Sequence, residues 1–208
     1  MGQLDTIFRD YQDAFGYLSS KGYMYRFSGA ALNTTATGAT SFATTTPTFL
    51  LHVKAGVQWA VIPAEIRLFQ AGTVAGGAVT VLIEVDNANR YTSGGTALLA
   101  QNCKTDGPTL ASRLAAAGDI AAYDTNSSAI TATDAVGIRL AGYLLGQDVS
   151  PAEGAVNEVV WTPQAGIDIL APTATLGASL LVNTSAGTTG PTWFYSLKAA
   201  VVPLAWLT

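Results

Sequence analysis

The residues with chemistry to offer are one cysteine, one histidine and a short run of carboxylates and amides. Cys103 stands alone, so it can form neither an intrachain disulfide nor a cysteine-based zinc site. Its alternation with Ala97, Leu99 and Gln101 predicts a small buried thiol on a strand rather than a nucleophile. His52 lies out of phase with Phe49, Leu51 and Val53, and lacks the second histidine or cysteine that a metal would want, so a structural place is expected. Glu84, Asp86, Asn87 and Asn89 supply hard oxygen atoms, yet their spacing misses the EF-hand loop and reads as an Asx turn. Gly72, Gly76 and Gly77 lack the Lys-Ser/Thr of a phosphate loop and fall between two strands rather than ahead of a helix. Glu65 and Arg67, two apart on a strand, share a face and suit an ion pair better than an acid/base pair. Triplets beginning at Asn33, Asn126 and Asn183 match the glycosylation pattern, as chance allows in a chain so rich in Asn, Ser and Thr. No catalytic residue, metal ligand or cofactor motif emerges, and a protein that is not an enzyme is expected.

Composition narrows the classes further. Charged residues are 12% of the 208, about half the share usual in soluble domains, while apolar residues reach 49%. A surface this poor in charge is expected to hide much of its area against other subunits. Net charge of -4 and a pI near 4.7, with no basic cluster, argue against a nucleic-acid face. No run approaches the roughly 18 consecutive apolar residues of a membrane-spanning helix, and Met1 to Asp5 lacks the basic start of a secretory signal, so no membrane partner is expected.

The elements that must position these residues are strands. Phe49, Leu51 and Val53 alternate with Leu50, His52 and Lys54, and Val79, Val81, Ile83 and Val85 alternate with Thr80, Leu82, Glu84 and Asp86. That period of two predicts half-buried antiparallel strands. Ala64 to Gln70 keeps the same period, with Pro63 predicting a break or bulge before it. Val156–Trp161, Ala178–Val182, Trp193–Lys198 and Ala200–Leu207 add further strands, Trp193, Tyr195 and Leu197 facing one way and Phe194, Ser196 and Lys198 the other. Thr105 to Gly118, with Pro108 in a first turn, predicts a short helix.

The chain opens differently. Leu4, Phe8, Tyr11, Phe15 and Leu18 recur at helical spacing and predict a short amphipathic helix or arm. Tyr17, Tyr23, Tyr25 and Phe27 then alternate with smaller or charged residues and read as an edge strand or an adhesive tether. Gly29 to Pro47 is rich in Ala, Thr and Gly without charge, and reads as a linker. The expected organisation is an amino-terminal arm over 1–28, a linker over 29–47 and an all-β, antiparallel two-sheet sandwich of jelly-roll type over 48–208.

Leu50 to Asn102, with its strand at Leu50 to Lys54, its Ile/Arg/Leu alternation at Ala64 to Phe69, its Gly-rich stretch at Gly72 to Ala78 and its strand at Val79 to Val85, resembles the small jelly-roll structural proteins of tailed bacteriophages. The resemblance implies a virion protein that decorates or cements a capsid, as a homo-oligomer, with a trimer favoured, in contact with partners such as the major capsid protein. An alternative it also implies is the receptor- or carbohydrate-binding head of a tail fibre, with a glycan as ligand. Candidate interface residues are Leu4, Phe8, Tyr11, Phe15 and Leu18 on the arm, which is expected to dock outside its own sandwich, and Tyr91 and Trp193 in or beside loops, where aromatic rings suit either protein contact or sugar stacking.

Overall fold

The computed structural model describes residues 11–31, 33–71, 78–133, 137–145, 157–163, 168–187 and 190–207, the side chains of 11–13 excepted. It is an all-β fold of two antiparallel sheets with one amino-terminal helix, α1 (Tyr11–Ser20). Strands β1 (Met24–Ser28), β4 (Trp59–Gln70), β8 (Leu99–Asn102), β12 (Glu158–Trp161) and β14 (Thr192–Pro203) form the first sheet in the order β12-β4-β14-β1-β8, with β2 (Ala36–Thr37) also paired to β14. Strands β3 (Phe49–Val53), β5 (Val79–Asp86), β7 (Thr96–Ala97), β9 (Ile120–Asp124), β11 (Ile138–Leu145) and β13 (Ala178–Ser185) form the second, in the order β11-β5-β13-β3-β9-β7. The remaining pair, β6 (Tyr91–Gly94) and β10 (Ile130–Ala132), makes a small antiparallel sheet of its own.

The pairings nest. β1 lies beside β14, β3 beside β13, β4 beside β12 and β5 beside β11, all antiparallel. Eight strands paired first with last, inward to the middle, are a long double ribbon rolled into two four-stranded sheets, which is jelly-roll topology. Residues 87–137 interrupt that plan between β5 and β11. This insertion extends the first sheet through β8 on β1 and the second through β9 on β3 and β7 on β9.

Rows of alternate residues from the two sheets meet in the interior. Tyr25, Phe27, Ile66, Leu68, Trp193, Leu197 and Val201 come from the first sheet, and Phe49, Leu51, Val81, Ile83, Leu180 and Val182 from the second. Pro63 sits at a register shift: Lys198 pairs with Glu65 but Ala199 pairs with Pro63, leaving Ala64 as an extra residue. Such a bulge changes the phase of a strand. Before it, odd-numbered Val61 faces the main core while Ala60 and Ile62 face out; after it, even-numbered Ile66 and Leu68 face in. The expected break at Pro63 is thus a bulge within one continuous strand.

Several expectations change. Met24–Ser28, placed on the arm by its sequence, supplies β1, held between β14 and β8. Part of the expected linker pairs back onto the sandwich, through β2 and through Ala39, which bridges Ser185. β3 is buried on both faces rather than one, because the β6–β10 pair covers Leu50 and Leu181. Residues 105–118 form turns and bends, not a helix, and Cys103 is exposed: the row Ala97, Leu99, Gln101 faces outward along the rim of the fold. Gly72, Gly76 and Gly77 lie outside the described residues.

α1 ends in a Schellman motif. Gly22 takes φ +75°, its N–H donates to Ser19 O at 2.9 Å, and the Tyr23 N–H donates to Leu18 O at 2.8 Å. This turn reverses the chain into β1 and lays the helix on the first sheet. Leu18 is buried there with Met24, Ala60, Ile62, Ala200 and Val202, and Phe15 packs alongside.

Candidate interface on the first sheet

The outer face of the first sheet divides at the bulge. Below it, α1 covers Ala60, Ile62, Ala200 and Val202. Above it, the outward residues are Glu65, Arg67 and Phe69 of β4, Phe194, Ser196 and Lys198 of β14, and Glu158 and Val160 of β12. Register sets them in rows: Phe69 stands between Glu158 and Phe194, Arg67 between Val160 and Ser196, and Glu65 opposite Lys198. Phe69, Phe194 and Val160 are 37%, 41% and 43% exposed, which sets apolar surface beside charge.

The charges there are already in contact with one another. Glu65 receives Lys198 Nζ at 2.8 Å on one oxygen and Arg67 Nε at 3.1 Å on the other. Burial alone would raise the Glu65 pKa, but the two cations together hold it below the ordinary carboxylate range. An ion-paired trio costs less to dehydrate than three separate charges, so this half-face is suited to being covered. The sequence carried the signal: Phe69 is in phase with Glu65 and Arg67, and Phe194 with Ser196 and Lys198, so both phenylalanines had to face out with charged neighbours.

The residues singled out from the sequence fall elsewhere. Trp193 is fully buried in the main core, and Leu18, on α1, is fully buried against the first sheet. Closed off by their own chain, neither side chain has surface left to offer a partner or a sugar. Phe15 is partly buried against the same sheet. Leu4 and Phe8, and the Tyr11 side chain, lie outside the described residues. Tyr91 is partly exposed, but its ring stacks on Tyr123 at 4.1 Å and 4° and its hydroxyl donates to Gly94 O at 2.9 Å. A ring face already stacked is poorly placed to hold a sugar.

The acidic turn is likewise engaged. Asp86 accepts from Arg90 Nε at 2.9 Å and Nη2 at 3.1 Å, and from the Ala88 N–H at 3.0 Å. A guanidinium occupies the position a cation would take, the Asx-turn reading of this stretch. Among the described residues, no three or more His, Cys, Asp or Glu side chains converge on a point where a metal could bind. Asn183 is buried within β13, out of reach of glycosylation.

No protein-family model matches the sequence, and no curated protein matches it. A solved structure of infectious bursal disease virus, Gx strain, aligns with 86% of this chain at 12% identity and a TM-score of 0.18. The aligned stretch spans 40% of that viral chain. A likeness this slight says nothing about function.

Proposed function

We propose that this chain is a structural component of a bacteriophage virion, a capsid decoration or other head protein that works by contact between copies of itself, as a trimer, and with the major capsid protein. The observation that carries the reading is the uncovered half-face of Phe69, Phe194 and Val160, set on rigid strands beside an ion-paired trio. Aromatic residues on an open sheet face, with ion-paired charge at the margin, have the make-up of a protein-protein contact. The low charge fraction and the sequence resemblance of Leu50 to Asn102 support the same reading. Residues 87–137 fit it as well, since an insertion that widens both sheets enlarges the surface of a protein whose work is contact.

Mixing the purified chain with purified heads of the encoding phage tests the proposal. Saturable, stoichiometric occupancy that is lost when Phe69 and Phe194 become serine is expected; occupancy unaffected by both changes would remove the half-face from the account.

A further inference from the structure

His52 is 2% exposed, and neither ring nitrogen makes a hydrogen bond of proper geometry. It faces outward from β3 into the layer between the second sheet and the β6–β10 pair. Its ring lies 5.2 Å from Tyr91 of β6, nearly parallel, and 5.9 Å from Tyr123 of β9. The groups around it are few. Lys54 on its own strand repels a proton, and the Asn89 side chain, ahead of β6, favours one. Ser179, opposite on β13, has its hydroxyl engaged with Ala88 O and the Arg90 N–H, and Asp86, next in register on β5, is held by Arg90. Among the described residues, the other carboxylate on the outward rows of these strands is Glu84 of β5, opposite Leu181 and one row along from His52 and Ser179.

The layer above it is a short pair of strands. Among the described residues, β6 and β10 pair only with each other. A lone two-stranded sheet is marginal in water, so its order depends on packing against what lies below. That packing is Leu50 and Leu181 against Ile130, Ala132, Tyr91 and Tyr123, with direct bonds to the body such as Ala132 N–H to Thr45 O at 2.8 Å.

We propose that protonation of His52 in mildly acidic solution lifts the β6–β10 flap from the second sheet, exposing Leu50, Leu181 and Ile130 while the two-sheet core stays folded. A charged ring with two N–H donors needs water or acceptors, and the closed layer offers neither in good geometry. Burial, then Lys54, lowers the His52 pKa from 6.5 to about 4, so the closed flap prefers the neutral ring. The sign follows: an open flap returns the ring towards 6.5, binds the proton more tightly, and gains population as pH falls from 6.5 towards 4. Stacking of an imidazolium on Tyr91 works against opening, but two unsatisfied donors and the Lys54 charge outweigh one ring face.

Hydrogen exchange on the full chain tests this. After correction for intrinsic rates, the Thr131 and Ala132 amides should lose protection by about tenfold or more between pH 7 and pH 4.5, with Leu51 and Leu180 unchanged. His52→Phe should abolish the response. Flap protection equal at both pH values, loss in step with the core, or the same response in His52→Phe would each overturn the proposal. Should that variant fail to fold, the ring resonance of His52, the one histidine of the sequence, decides. A midpoint matching loss of flap protection supports release, and titration near 6.5 with the flap still protected overturns it.

Discussion

The hydroxyl of Tyr195 on β14 donates to the carboxylate of Asp124 at the end of β9, so a single hydrogen bond ties the first sheet to the second through the interior. Asp124 is fully buried, and Phe49 packs its ring 4.4 Å from that of Tyr195. Burial raises the Asp124 pKa, while the tyrosine and the Asn126 N–H pull it back down; burial, with the neighbouring carboxylate, drives Tyr195 well above its ordinary value.

Tyr195→Phe is expected to cost about 1–3 kcal/mol, because it leaves a buried acceptor without its donor. Urea unfolding would check the cost. Asp124 in the variant should titrate higher than in the parent, since a bond that stabilised its charged form is gone. A carboxyl whose folded pKa stands above the unfolded value loses stability as pH rises through the folded pKa, so the variant should lose more than the parent on going from acid to neutral pH.

The bulge at Pro63 and Ala64 gives a sharper test of the architecture. Deleting Ala64 removes the extra residue and leaves Pro63 opposite Ala199 and Glu65 opposite Lys198, so the strand alternates without a break, with Ile66 and Leu68 inward and Glu65, Arg67 and Phe69 outward. The deletion variant is expected to fold with the parental circular dichroism, at a cost of no more than about 3 kcal/mol. An unfolded or insoluble deletion variant would contradict the phase change.

Gly22 and Leu18 hold the helix in place. Gly22→Ala puts a Cβ at φ +75° and 3.1 Å from Pro108 Cδ, and is expected to cost about 1–2 kcal/mol. Leu18→Ala should cost about 2–5 kcal/mol for a buried side chain of this size. Both losses should appear as faster exchange of α1 amides, with β3 and β13 protected as before. Equal loss across all strands would mean that the helix and the sandwich unfold as one unit.

Much of the sandwich was legible because alternation survives in β3, β5, β13 and β14, each long enough to show its period. The phase change inside β4 was not, since Ile62-Pro63-Ala64 reads as apolar in either phase and only the pairing with β14 reveals which residue is extra. β1 was legible in part: Tyr23, Tyr25 and Phe27 keep the period of two and read as an edge strand or a tether, whereas β1 lies between β14 and β8. The exposure of Cys103 escaped because alternation shows that residues share a face and not which face is covered. Trp193 was assigned to the correct row with Tyr195 and Leu197, yet its size suggested a contact residue where the fold uses it as core. The half-face of Phe69 and Phe194 was written in the same alternation, as two large apolar residues on the rows of Arg67 and Lys198.

Sedimentation equilibrium of the full chain at micromolar concentration bears most directly on self-association through that half-face. The parent should sediment at about three times its 21.4 kDa mass. The double variant Phe69→Ser/Phe194→Ser should sediment at 21.4 kDa with unchanged circular dichroism. A parent that stays a monodisperse 21.4 kDa monomer, or a double variant that assembles as well as the parent, would contradict the account.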